Sequence, residues 1–194
     1  MRTMMLSMLL VSSTLFAGEM KSLKIGEEVP GFALKNYDGK EYSLGTILKE
    51  NKLTALMFIS TRCPVSNAYN ERMVKLHEAF NKNGVVFVGI NANKEETLEE
   101  IASHCKDHGF KFLVLKDDQN KVADAYGAQV TPEIYVINKQ GKLLYHGRID
   151  DSRAETRVES RDLAAAMEAL LAGKEPPRTE TKAFGCTIKR VTQD

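Results

Sequence analysis

Leu53-Thr54-Ala55-Leu56-Met57-Phe58-Ile59-Ser60-Thr61-Arg62-Cys63-Pro64-Val65-Ser66 is the stretch on which the reading of this chain turns. From Leu53 to Ile59 it is almost continuously apolar, as a strand covered on both faces of a sheet has to be. Pro64 fits the first position of a helix, where its missing N–H is no loss. Tyr69, Met73, Leu76 and Phe80 then recur at helical spacing until Asn83-Gly84 ends the run. Val85 to Ile90 is a second buried strand, so the unit is strand–helix–strand, which favours parallel pairing through a right-handed crossover. Cys63 stands where strand hands over to helix. There the free amides of Val65 and Ser66 and the positive end of the helix dipole favour thiolate over thiol. Arg62 adds a neighbouring positive charge and Ser66 a hydroxyl donor. Thiolate is the form that attacks disulfides and peroxides, so Cys63 reads as a reactive sulfur. The alternative is an inert cysteine at a buried strand end.

Upstream, after a lead-in from Lys24 to Val29, Phe32-Ala33-Leu34-Lys35 and Glu41-Tyr42-Ser43-Leu44 flank the turn residues Asn36-Tyr37-Asp38-Gly39 as a hairpin. Downstream, Asn93 is expected to cap a second helix whose first turn carries Glu95 and Glu96. Its apolar face is Leu98, Ile101, Ala102 and Cys105, and Gly109 closes it. The charged runs Lys94-Glu95-Glu96 and Glu99-Glu100 read as solvated helix faces. Phe112 to Leu115 reads as a strand and Lys121 to Tyr126 as a short helix. Glu133 to Ile137 and Leu143 to Gly147 flank Asn138-Lys139-Gln140-Gly141 as an antiparallel hairpin, and Ser160 to Leu171 is a last amphipathic helix. The order predicts an α/β chain with a mixed central sheet flanked by helices and an N-terminal hairpin extension. That is the thioredoxin-like arrangement; a doubly wound fold needs more parallel strands and a different ending.

With 194 residues, 43% hydrophobic and 27% charged, the chain has material for one domain with a real core. A net charge of +1, the absence of Trp and the lack of a basic patch interleaved with aromatics argue against nucleic-acid binding. Met1-Arg2 is a short basic start, Met4 to Phe16 carries no charge, and Ala17-Gly18 is small, which is the layout of a secretory signal peptide cut after Ala17. The alternative is a buried N-terminal helix. The stretch is short of the ~20 apolar residues that span a bilayer and holds no cysteine for a lipid anchor. The expectation is therefore a periplasmic or secreted protein with no membrane attachment in its mature form. Residues 1–17 are the signal, 18–175 the folded domain and 176–194 a tail carrying Cys186. Cys63, Cys105 and Cys186 are an odd set in an oxidising compartment, so at least one thiol is left over. Cys105, sharing a face with Leu98 and Ile101, reads as core. His104 and His108 are one helical turn apart beside Cys105, yet without a third ligand they read as a solvated face, so no metal or cofactor is expected. Arg148 with Asp150-Asp151 reads as a turn with a surface ion pair.

Val130-Thr131-Pro132-Glu133 precedes the closing hairpin, and a proline at a strand start sits at an edge or bulge. Together with Thr61 to Ser66, Gly89-Ile90-Asn91-Ala92-Asn93, Gly147-Arg148-Ile149-Asp150-Asp151 and Thr181 to Lys189, it resembles the peroxiredoxin-like redoxins. These form the alkyl hydroperoxide reductase/thiol-specific antioxidant group of the thioredoxin superfamily. The resemblance runs from about Ile25 to Lys189. It implies a thioredoxin fold, Cys63 as reactive thiol and a cis-Pro132 packed against it. The activity implied is that of a thiol-dependent oxidoreductase attacking a protein disulfide or a hydroperoxide and recycled by an external thiol reductant. Ser60, Thr61 and Ser66 would orient and stabilise the thiolate. Thr131 and Pro132 would shape the substrate groove, and Arg148 would bring a positive charge to it. Thioredoxin-type reductases carry a second cysteine where this chain has Ser66. Peroxidases of the group have a threonine at the position of Ser60 and a proline at that of Leu56. Cys186 is the candidate resolving cysteine if the tail folds back over the Cys63 helix; otherwise it is an incidental tail thiol. Two rival readings stay open: a non-catalytic binding protein of the same fold, and a metal-delivery protein using Cys63 with a histidine.

Overall fold

The apolar run beginning at Leu53 is a strand buried along its whole length, and the elements around it explain why. The computed structural model describes residues 22–191. The chain runs β1 (Ala33–Asn36), β2 (Glu41–Ser43), α1 (Leu44–Glu50), β3 (Leu53–Phe58), α2 (Pro64–Asn67), α3 (Asn70–Phe80) and β4 (Val85–Asn91). It continues with α4 (Leu98–Asp107), β5 (Leu113–Lys116), α5 (Lys121–Tyr126), β6 (Val130–Thr131), β7 (Glu133–Asn138), β8 (Leu143–Gly147), α6 (Asp162–Leu171) and β9 (Cys186–Thr187). The signal-peptide reading of residues 1–17 lies outside the described residues.

Seven strands form one sheet in the order β2-β1-β5-β4-β3-β7-β8. β3, β4 and β5 run parallel, while β7 lies antiparallel on β3 and β8 antiparallel on β7. The N-terminal hairpin extends the sheet by pairing β1 antiparallel with β5. The sheet is mixed and flanked by helices, with the closing hairpin the sequence predicts. β3 is central and feeds both faces. Leu53, Ala55 and Met57 point into a core with Met73 of α3, Ile101 of α4 and Leu163 of α6. Leu56 and Phe58 point into the opposite core with Ile47 of α1 and Tyr126 of α5. That two-sided burial is why β3 shows no polar alternation.

Three local details differ from expectation. Helix α1 is absent from the sequence reading; it has seven residues, is capped by Ser43 accepting the Thr46 amide, and buries Leu44, Ile47 and Leu48. The helix after Cys63 is two helices, and the Arg72 guanidinium reaches the Ala68 carbonyl between them at 3.2 Å. Asn93 does not cap α4. Thr97 does, in a capping box with Glu100, and this leaves residues 92–96 as a loop at the carboxyl end of β4.

Candidate active site

Cys63 is the N-cap of α2, 4% exposed, and its Sγ accepts the Ser66 amide at 3.3 Å. The geometry delivers the helix-terminus donor predicted for a thiolate. The amide of Ser66, rather than its hydroxyl, faces the sulfur; the hydroxyl accepts from the Ser60 amide at 3.2 Å. Ser60 braces the turn, its Oγ accepting the Cys63 amide at 3.0 Å and the Arg62 amide at 3.2 Å. Arg62 is engaged by Glu100 through Nε at 3.1 Å and Nη2 at 2.6 Å, so its charge is shared with an acid on α4. Across the sulfur lies the Thr131 carbonyl oxygen, 3.4 Å away, and the Thr131–Pro132 peptide is cis.

The tail returns to this point. β9 pairs antiparallel with β6, setting Cys186 opposite Thr131 and Thr187 opposite Val130. Cys186 and Cys63 form a disulfide with Cα atoms 5.8 Å apart, well inside the range a disulfide needs. The tail is also pinned without it. On one side the Thr181 hydroxyl accepts the Arg148 amide at 3.0 Å and meets the Tyr145 hydroxyl at 2.8 Å. On the other, Ile188 is buried and its amide reaches the Gln129 carbonyl at 2.9 Å. Arg190 grips the Asp124 carboxylate and the Ala128 carbonyl at 2.7 and 2.6 Å. A cleft of about 260 Å³ opens at the sulfurs, lined by Arg62, Cys63, Glu95, Cys186, Thr187 and Lys189. Cys186 is the more exposed residue of the pair, half-buried where Cys63 is buried.

One residue at the centre of this site was assigned to a solvated helix face by the sequence. Glu96 is 3% exposed and receives the Ser60 hydroxyl at 2.5 Å, the Thr61 amide and hydroxyl at 2.6 and 2.8 Å, and the Asn91 side-chain amide at 2.6 Å. Thr61 therefore faces Glu96. The acid run concealed Glu96, but Thr97-x-x-Glu100 is a legible capping box that moves the helix start past it.

Arg148 is elsewhere. Its Nε binds Asp162 at the start of α6, 2.7 Å away, and its expected place in a substrate groove has no counterpart in the residues around Cys63. Asp150 is also not part of a surface pair: it is buried and binds Arg72 at 2.8 and 2.6 Å and the Tyr69 hydroxyl at 2.9 Å. Cys105 lies in the core, where burial pushes its thiol up to about 11. The rings of His104 and His108 are 4.3 Å apart, and His104 meets the Asn70 side-chain amide at 3.1 Å. Among the described residues no three metal-binding side chains gather.

The profile of the AhpC/TSA family matches residues 25–146. Thiol-disulfide oxidoreductase ResA of Bacillus subtilis (strain 168) is 29% identical over 136 residues, covering 69% of this chain and 72% of ResA. The crystal structure of a hypothetical protein from Sinorhizobium meliloti 1021 superposes with a TM-score of 0.82 at 33% identity, covering 89% of this chain and 98% of that one. The thioredoxin domain of a thiol-disulfide oxidoreductase from Bacteroides vulgatus shares the fold, with a TM-score of 0.57 at 19% identity over 64% of this chain and 89% of that one.

Proposed function

The chain belongs to the AhpC/TSA family, and on that footing we propose that it is a thiol-disulfide oxidoreductase cycling between a Cys63–Cys186 disulfide and the reduced pair. One observation carries the reading: two cysteines 123 residues apart in sequence meet at a helix N-terminus, with the tail pinned on both sides of the second. The relatives named as thiol-disulfide oxidoreductases support disulfide exchange as the chemistry. The Cys63 thiolate attacks a substrate disulfide, forming a mixed disulfide and expelling one substrate thiolate. The Cys186 thiolate then attacks Cys63 Sγ, closing the internal disulfide and expelling the second. The substrate gains two electrons and the protein loses two. An external thiolate attacks Cys186 Sγ, on the more exposed residue of the pair, and expels the Cys63 thiolate, which the Ser66 amide stabilises. A second external thiol then attacks the mixed disulfide, freeing Cys186 and leaving the two external thiols joined as a disulfide.

In this reading residues 1–17 are an export signal, 18–175 the redox domain and 176–194 the tail that presents Cys186, and the protein works in the periplasm or outside the cell. No helix among the described residues is long and apolar enough to cross a membrane. Its partners in this reading are a protein disulfide substrate and an external thiol reductant.

The oxidised protein, equilibrated with graded glutathione mixtures and quenched with an alkylating agent, should pass in one two-electron step to a form alkylated at both Cys63 and Cys186. Mass spectrometry reads the sites. Cys63→Ser should remove turnover of a small disulfide substrate with the fold intact, and Cys186→Ser should accumulate a mixed disulfide on Cys63. Turnover retained in Cys63→Ser would overturn the assignment.

A further inference from the structure

Lys116, the last residue of β5, is 6% exposed. A lysine so buried needs compensation within the protein. Its Nζ donates to the Asn93 carbonyl at 2.6 Å and to Asn91 Oδ1 at 3.3 Å, so it clamps the end of β4 and the loop that follows it, one point on each. From there two arms extend. Asn91 Nδ2 donates to Glu96, which holds Ser60 and Thr61, and Ser60 Oγ accepts the Cys63 amide. Asn93 Oδ1 accepts the Lys189 amide at 2.9 Å, and the Lys94 amide reaches the Lys189 carbonyl at 2.9 Å, three residues beyond Cys186. One ammonium thus stands at the root of both cysteine-bearing segments.

The acids around it are not equivalent. Asp118 is exposed, Glu100 is occupied by Arg62, and Asp117 accepts the amides of Val122 and Ala123 at 3.0 and 2.9 Å. Glu96 is buried and shares Asn91 with the ammonium. Burial lowers the Lys116 pKa from its ordinary value, and the attraction of Asp118, Glu96, Asp117 and Glu100 offsets only part of that. Lys116 and Glu96 are thus bridged by one amide: Asn91 accepts from the ammonium and donates to the carboxylate that holds Ser60 and Thr61.

We propose that Lys116 is a positioning residue for the redox pair, neutralising Glu96 beneath Cys63 and anchoring through Asn93 the arm that presents Cys186. The proposal rests on the reading of Cys63–Cys186 as the redox centre. With the ammonium removed, the Glu96 carboxylate opposes the forming thiolate without a counter-charge. With both charges removed, the opposition is gone.

The test is the pH dependence of iodoacetamide alkylation at Cys63 in the reduced protein, read by mass spectrometry. In Lys116→Met the midpoint should rise by about 0.5 to 1 unit, the size expected for a charge acting over several ångströms in a partly buried site. Lys116→Gln keeps a donor for Asn91 and Asn93 without the charge; it should shift the midpoint the same way, and it answers the question if the Met variant does not fold. Adding Glu96→Gln to either variant should bring the midpoint back toward wild type. A purely structural lysine would lower unfolding stability and leave the midpoint in place, and an unmoved midpoint in the folded single variants overturns the proposal. Failure of the wild-type pair to exchange with glutathione overturns the functional reading instead.

Discussion

Gly185 shows how much of this site hangs on single atoms. A Cβ built on it would overlap the Thr131 carbonyl oxygen and press on the peptide that joins Thr131 to Pro132. The same oxygen stands 3.4 Å from Cys63 Sγ. Only a residue without a side chain lets the tail backbone lie flush there and bring Cys186 into register with Thr131. Gly185→Ala should therefore displace Cys186 while leaving the seven-stranded sheet intact. Displacements of an ångström can cost reacting groups about a hundredfold in rate, so closure of the disulfide after mild oxidation should slow by at least about tenfold. Timed alkylation and mass spectrometry follow it, and a wild-type closure rate would show that the tail does not need this contact. Cys105 makes the opposite case: buried, with its thiol pushed up to about 11, it stays apart from the exchange.

Elements are legible in a sequence to the extent that burial imprints a period on them. β3, β4 and the β7–β8 hairpin could be read because their faces are covered and their turns are punctuated, and α5 matched its predicted bounds, Lys121–Tyr126. α1 was missed because seven residues with Gly45 inside carry too few turns to show a stripe, although Ser43 and the spacing of Leu44, Ile47 and Leu48 are its marks. Cys63 and Ser66 were singled out from local chemistry, Ser60 and Thr131 only through the family resemblance. Glu96 was not, since nothing local tells a buried carboxylate from its exposed neighbour Glu95; only the sheet brings it under the turn. The pairing of Arg72 with Asp150 was invisible for the same reason, its partners lying 78 residues apart in sequence. They join α3 to the loop after β8, with the guanidinium 3.7 Å above the Tyr69 ring and its Nη atoms also on the Ser152 and Arg153 carbonyls. Removing one partner of such a pair leaves a buried charge without compensation. Asp150→Ala should cost about 3–5 kcal/mol, measured by urea unfolding of the oxidised protein. A loss below about 1 kcal/mol would mean that water or a neighbouring carbonyl replaces the carboxylate.

Across the whole molecule, buried histidines and paired carboxylates make stability fall with falling pH, opposed in the acid range by Asp117, whose pKa burial raises. His77 of α3 is buried edge-on to Phe87 and Phe112, and burial holds its pKa below the ordinary value near 6.5. His104 of α4 is lowered by burial and by the neighbouring His108. For both, the unfolded chain takes up its proton first as pH falls. More protons are then bound in the unfolded state, and stability declines with falling pH from about 6.5 downward. A second decline follows at lower pH. Glu133 loses favour for its charge by burial but regains more from His146 and the amides of Gln129 and Val130, so its folded pKa is depressed below 4.5. Asp162 is likewise penalised by burial and held down more strongly by Arg148, Ser160 and Arg178. The stability these two carboxylates contribute is present above their unfolded values and is lost as pH falls through their folded ones. Urea midpoints of the oxidised protein should accordingly be lower at pH 5.5 than at pH 7.5, and lower again at pH 4. His77→Gln removes one of the two histidine contributions, so the difference between pH 7.5 and pH 5.5 should shrink in that variant while the acid loss below pH 4.5 remains. An unchanged difference would mean that His77 takes its proton in the folded state as readily as in the unfolded chain, and that the aromatic faces of Phe87 and Phe112 accommodate the imidazolium.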